Sequence, residues 1–149
     1  MRINVEKVKR FVGETQKALR TLKEFAALDK EEILKDTGKL ERIKYNFIIA
    51  IQSVIDICNH IVAKKGGRPP EDYADCFKIL GEMGIIEQDF SHKLSQMAKF
   101  RNLLIHLYWE VDDVQVLNVL KEELGDFDKF LEVIAKLMAS ELGLRSPLP

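Results

Sequence analysis

Residues 41–62, ERIKYNFIIAIQSVIDICNHIV, decide how the rest of this chain is read. Phe47, Ile48, Ile51, Val54, Ile55 and Ile61 recur at spacings of three and four, the period of a helix with wide apolar faces, and they do not alternate as a strand would. The strongest apolar run, residues 47–51, stops at Gln52, far short of a membrane span. Gln52, Asp56 and His60 are spaced by four and form one polar stripe on this otherwise apolar helix. Such a stripe must be hydrogen-bonded or wet, and a network inside a bundle or at a subunit contact is the reading we favour. A metal site using Asp56 and His60 is the sharper alternative. However, no Glu-x-x-His pair accompanies them, and two ligands define no geometry.

The helical period extends outward in both directions. Val5, Val8, Val12, Leu19, Leu22 and Phe25 predict a first helix over about residues 5–28. The second covers about 40–64, after a connector, DKEEILKDTGK, in which Asp36, Thr37 and Gly38 supply turn or capping chemistry. At KKGGRPPEDY, Lys64 and Lys65 suit a negative helix terminus, Gly66 a left-handed cap and Pro70 the first turn of a third helix over about 71–83. Gly84 breaks the chain before a fourth helix running from residue 88 or 91 to about 108. Asp112 or Asp113 can cap a fifth reaching 123, and Gly125 and Asp126 permit a break before a last helix ending near 142. The expected fold is all-α: an up-and-down bundle of five to six helices forming one domain over residues 1–149, with a short flexible tail from about 143.

With 46% hydrophobic and 32% charged residues, the composition is that of an ordinary globular domain and excludes a disordered or low-complexity chain. A formal net charge of −1 argues against a wholesale basic nucleic-acid binder. The charge is uneven, however: residues 1–109 hold 19 Lys+Arg against 15 Asp+Glu, and residues 110–149 hold four against nine. Cys58 and Cys76 have no metal-ligand spacing and read as buried, reduced thiols. Nothing at the N-terminus resembles a signal peptide, so a cytoplasmic location without membrane attachment is expected.

RNLLIHLYWEVDD, residues 101–113, sets an arginine, an asparagine, a histidine, a tyrosine and a tryptophan into what otherwise reads as core helix. Met97, Phe100, Leu103, Leu104 and Leu107 share one arc, while Ser95, Lys99, Asn102 and His106 fall opposite. Arg101, Ile105 and Trp109 are too apolar or too specialised for plain solvated surface, and a second subunit would cover them. Arg101 and His106 are five apart, so on a straight helix they diverge by about 140°. Either the helix loosens near His106, or a two-fold axis brings in a partner's copy and builds a composite cleft. Caps, surface charges or satisfied core residues remain the structural alternative for both.

The run RNLLIH followed by LY resembles the R-x4-H-x-Y motif of the HepT toxins, members of the HEPN superfamily of helical ribonucleases that pair with MntA-type minimal nucleotidyltransferase antitoxins. Residues 41–62, RPPEDYADCFKILGEMGII at 68–86 and MAKFRNLLIHLYWEVD at 97–112 resemble that family in its order, and the likeness covers about residues 3–140. The resemblance implies a homodimeric HEPN-like bundle with the active cleft at the subunit interface. It implies an endoribonuclease in which Arg101 and His106 are catalytic and Asn102 supports them. Lys99 would track the RNA backbone, and Tyr108 or Trp109 could stack on a base. It further implies that the partner nucleotidyltransferase transfers AMP from ATP onto Tyr108. No cofactor and no metal are implied.

Two other functions compete: a non-catalytic helical partner of a nucleotidyltransferase, and a nucleotide-binding bundle that keeps the motif for phosphate contact. The joint presence of Arg101, Asn102, His106 and Tyr108 favours the ribonuclease, because a pure scaffold has no chemical need for all four.

Overall fold

The computed structural model describes residues 2–143, and these form an all-α bundle. Its helices are α1 (Val5–Ala26), α2 (Lys30–Leu34), α3 (Thr37–Lys64), α4 (Tyr73–Glu82), α5 (Gln88–His106), α6 (Asp113–Glu122) and α7 (Gly125–Glu141), with a 3-10 turn at Tyr108–Glu110 between α5 and α6. Of the tail expected from about residue 143, residues 144–149 lie outside the described residues.

Four of the helix starts, those of α1, α3, α4 and α6, are written in short acceptor side chains. The Asn4, Asp36, Asp72 and Asp112 carboxyl or amide oxygens accept the backbone N–H groups of Lys7, Lys39, Asp75 and Val114, each supplying one of the partners that a helix N-terminus lacks. Three helices, α3, α4 and α7, are followed by a glycine in the left-handed region, Gly143 (φ 71°) being the one after α7. Gly66 (φ 78°) follows α3, with the Gly67 N–H donating to Val62 O at 2.8 Å, and Gly84 (φ 74°) follows α4, with the Ile85 N–H donating to Leu80 O at 3.1 Å.

α3 is the central element. Phe47, Ile51, Ile55, Cys58 and Ile61 on it are wholly buried, and it lies antiparallel to α1, as shown by the Thr15 and Ser53 hydroxyls meeting at 2.6 Å near mid-helix and Asn4 meeting His60 at the far end. By length and composition α3 could cross a bilayer, but its apolar faces are spent on α1, α4 and α5 as a core helix. Phe47 packs edge-on against Phe100 of α5 with ring centroids 5.5 Å apart, which fixes α5 to the core close to Arg101. α4 and α5 form a tight hairpin. Ser91 Oγ donates to Phe77 O at 2.8 Å, and a Cβ on Gly81 would stand 3.0 Å from the Ser91 side chain, so α4 carries glycine where the two helices approach.

The expected elements are present, with three differences. The connector before α3 contains a helical turn, α2, because Ile33 has a fully buried place to fill. Pro70 stands before the third expected helix and not in its first turn: Asp72 is the cap, and the Glu71 N–H is taken by the Asp75 carboxylate at 3.0 Å. Finally, α5 stops at His106, two residues earlier than its apolar period suggests.

Candidate functional site

The end of α5 shapes everything around the R-x4-H-x-Y segment. The Leu107 N–H still donates to Leu103 O at 2.9 Å, but Leu107 itself turns out of the helix (φ −127°, ψ 39°), and the Glu110 N–H then closes a 3-10 turn on Leu107 O at 2.9 Å. No glycine or proline causes this. Val111 drops into the core at 9% exposure and Asp112 begins α6, so the chain must leave the α5 axis to reach both. Tyr108 and Trp109 therefore stand on the turn and not on α5, and a helical wheel does not give their directions.

The turn is held from α3. Lys44 is a buried lysine whose ammonium lies 2.9 Å from the Asp113 carboxylate at the start of α6 and 4.7 Å from the centroid of the Tyr108 ring. One cation thus ties α3, the turn and α6 together, through a salt bridge and a cation–π contact. Tyr108 keeps 37% of its surface exposed and Trp109 78%. Its ring is anchored while its outer part faces solvent.

Arg101 is held differently. One of its terminal nitrogens donates to Asn102 Oδ1 at 2.9 Å, its guanidinium carbon stands 5.1 Å from the centroid of the Tyr73 ring, and its Nε is buried without a hydrogen-bond partner. No carboxylate among the described residues pairs with it, so its positive charge is uncancelled. His106, the last residue of α5, is exposed, and no hydrogen bond joins its imidazole to a described residue. An imidazole in that state can take up or release a proton, and an uncancelled guanidinium can receive a phosphate. α5 stays regular up to His106, so the loosening that would bring Arg101 and His106 side by side in one chain does not occur. Lys99 is exposed two residues before Arg101.

The polar stripe of α3 divides in two. The Gln52 side-chain amide donates to Asp56 at 2.9 Å, leaving Gln52 Oε1 buried and unpartnered, whereas His60 turns to α1 and accepts the Asn4 N–H on Nε2 at 2.9 Å. Burial, reinforced by the nearby Lys7 and Lys64 charges, pushes the His60 pKa below its ordinary value. His60 is thus a neutral capping acceptor, and the three residues do not act as one network. Among the described residues no three His, Cys, Asp or Glu side chains are placed to hold a metal ion.

Three residues of this region were missed in the sequence. Lys44 carries a legible signal: it occupies the core phase of α3, in the series Leu40, Lys44, Phe47, Ile51, where a lysine needs a buried partner. Asp113 reads as a cap, yet Asp112 caps α6 and Asp113 is left for Lys44. Tyr73 lies 28 residues before Arg101 in the chain, and no local pattern links the two.

Comparison with known proteins agrees with this architecture. The family model described as ribonuclease HepT-like matches residues 15–134. The mRNA nuclease HepT of Shewanella oneidensis is 29% identical over 106 residues, covering 71% of this chain and 80% of that protein. Two solved structures share the fold. The tri-AMPylated Shewanella oneidensis HEPN toxin in complex with MNT antitoxin superposes with a TM-score of 0.80 at 24% identity, over 86% of this chain and 96% of that one. YutE of Bacillus subtilis, described as a cytosolic protein of unknown function, gives 0.82 at 17% identity, over 98% and 99%. With the family model spanning most of the chain, and the bundle of those structures reproduced, the chain belongs to the HepT-like ribonuclease family.

Proposed function

We propose that this chain is a metal-independent endoribonuclease, the toxin of a pair whose antitoxin is an MntA-like minimal nucleotidyltransferase, acting as a cytoplasmic homodimer. The observation that carries this reading is the pairing, on the last turns of one helix, of an arginine whose charge no carboxylate cancels with an exposed, uncommitted histidine. In the proposed reaction the ribose 2′-hydroxyl attacks the adjacent phosphorus. The P–O2′ bond forms and the P–O5′ bond breaks, the 2′ proton passes to an imidazole, and the leaving 5′ oxygen receives a proton, which gives a 2′,3′-cyclic phosphate and a 5′-hydroxyl. His106 handles the protons, and Arg101 stabilises the charge that grows on the non-bridging oxygens. Asn102 orients Arg101, while Lys99 tracks the backbone and Trp109 offers a stacking face.

The helix geometry supports the homodimer. Arg101 and His106 diverge by about 140° on a regular helix, so a substrate phosphate gripped by both needs a second copy related by a two-fold axis. Ile105, Leu107 and Trp109 expose 37%, 39% and 78% of their surfaces beside them, an apolar rim suited to that contact.

Silencing is proposed to occur at Tyr108. Its oxygen would attack the α-phosphorus of ATP on the antitoxin, pyrophosphate would leave and the phenolic proton would be lost to the surroundings, joining AMP to the ring. The added bulk and negative charge then oppose RNA phosphates in the same cleft. Two experiments test the reading. Arg101→Ala and His106→Ala should each abolish RNA cleavage with circular dichroism and sedimentation unchanged. Co-expression with the cognate antitoxin should add AMP masses that map to Tyr108. Cleavage retained in both variants contradicts the assignment of Arg101 and His106 as the catalytic residues, and an unmodified Tyr108 in a silenced complex means that the antitoxin occludes the cleft instead.

A further inference from the structure

We propose that Tyr73 is the positioning residue of Arg101: its ring orients the guanidinium while leaving the charge free for phosphate. This rests on the reading of Arg101 as the phosphate-binding cation. A guanidinium can be fixed by a carboxylate, by a neutral acceptor or by an aromatic face. The first is the strongest and cancels the charge, as the chain itself does at Arg68, which is gripped by Asp75 and Glu82. Arg101 has the other two. Asn102 takes one N–H at 2.9 Å, and Tyr73 presents its face 5.1 Å from the guanidinium carbon.

The ring is placed rigidly enough for this task. Tyr73 is the first residue of α4, immediately after its cap Asp72. The first turn of α4 is bonded to α5 by Ser95 Oγ, which donates to Ala74 O at 2.9 Å, one residue from Tyr73 and six before Arg101. One turn further on, Ser91 Oγ grips Phe77 O at 2.8 Å. The hairpin of α4 and α5 therefore carries ring and guanidinium as one unit. Tyr73 is 38% exposed, so the ring borders the solvent side from which an RNA phosphate approaches. The contact uses the face of the ring, so the phenolic hydroxyl is dispensable. The sequence separation of the two residues hides this pairing from any motif.

Three variants of the full-length protein in an RNA cleavage assay test the inference. Tyr73→Leu should lower kcat about tenfold and leave KM within about twofold, because the charge remains but its direction is lost. Tyr73→Phe should stay within about twofold of wild type in both constants. A threefold or greater fall in kcat for Tyr73→Leu, rescued in Tyr73→Phe, supports the proposal. A smaller fall, or an equal fall in both variants, overturns it. In the unmodified protein the Arg101 Nε–H NMR resonance should be displaced by the ring current of Tyr73 and return in Tyr73→Leu, and an unmoved resonance also overturns the proposal, even where a variant folds poorly. Arg101→Ala separates the two layers. If it still cleaves, the assignment of Arg101 fails; if it is inactive while Tyr73→Leu cleaves normally, only the positioning role fails.

Discussion

Arg68 stands in the loop before α4 and Arg101 near the end of α5, and the chain treats them in opposite ways. Arg68 donates to both oxygens of Asp75, at 2.7 and 2.8 Å, and to Glu82 at 3.1 and 3.2 Å, so two carboxylates meet one guanidinium. Its pKa is driven up, and the same contact, helped by the Glu71 N–H, holds the Asp75 carboxyl at about 2. That arginine straps the loop after α3 to α4 and has nothing left to bind. Arg101 meets an amide and an aromatic ring, and its charge is still available. The histidines repeat the contrast, since His60 caps the start of α1 as a neutral acceptor whereas His106 ends α5 exposed and uncommitted. Residue type does not mark the site in this molecule. Unspent hydrogen-bonding and charge capacity does.

The largest test exchanges the roles. Arg101→Ala should reduce cleavage by at least about 10³-fold, the scale of a lost transition-state charge contact, whereas Arg68→Ala should keep cleavage within about twofold and lower only the melting temperature. Next, Asn102→Asp keeps the shape beside Arg101 but adds the carboxylate that Arg68 already has. Single-turnover cleavage should fall about 100-fold while the fold persists, and an unchanged rate would mean that the free charge of Arg101 is unimportant. A smaller effect is expected at Lys44→Met, which removes the cation beneath Tyr108. Trp109 is the only tryptophan of the chain, so its fluorescence anisotropy reports the turn directly and should drop, with a fall in cleavage of about threefold to tenfold.

The smallest effect is on pH dependence. The folded pKa of His60 lies below the ordinary value of 6.5, so the unfolded chain binds the proton first. Stability is complete above about pH 6.5 and declines as pH falls below it, and His60→Gln, which keeps an acceptor for Asn4, should remove that slope from urea unfolding curves. The carboxyl of Asp75 is likewise depressed from 3.8, so its contribution is intact above about pH 4 and is lost on acidification toward pH 2. Arg68→Ala should flatten that acid limb.

The longer helices were legible because their causes are local. Apolar spacing places α1 and α3, Asp36 announces the start of α3, and Gly66 and Gly84 announce where α3 and α4 end. The short helix α2 was not legible, since only Ile33 and Leu34 in it are apolar and the burial of Ile33 depends on distant neighbours. The end of α5 was misplaced for a related reason: Leu107 continues the apolar period, but Val111 and Asp112 draw the chain away. In the candidate site, Arg101, Asn102, His106 and Tyr108 could be named from one short motif. Their supports, Lys44 on α3, Asp113 on α6 and Tyr73 on α4, come from three other helices and become visible only once the bundle is assembled.

The products of cleavage distinguish 2′-hydroxyl attack from metal-assisted hydrolysis. Wild-type protein treated with excess EDTA should be incubated with an RNA of defined sequence, and with the same RNA carrying a single 2′-deoxy sugar at the mapped cut, and the fragments weighed by mass spectrometry. Undiminished cutting of the all-ribose strand is expected, with a 2′,3′-cyclic phosphate or its opened form facing a 5′-hydroxyl, and no cutting at the deoxy position. Fragments bearing a 5′-phosphate, cleavage at the deoxy sugar, or activity lost with EDTA and restored by a divalent cation would contradict metal-independent attack by the 2′-hydroxyl.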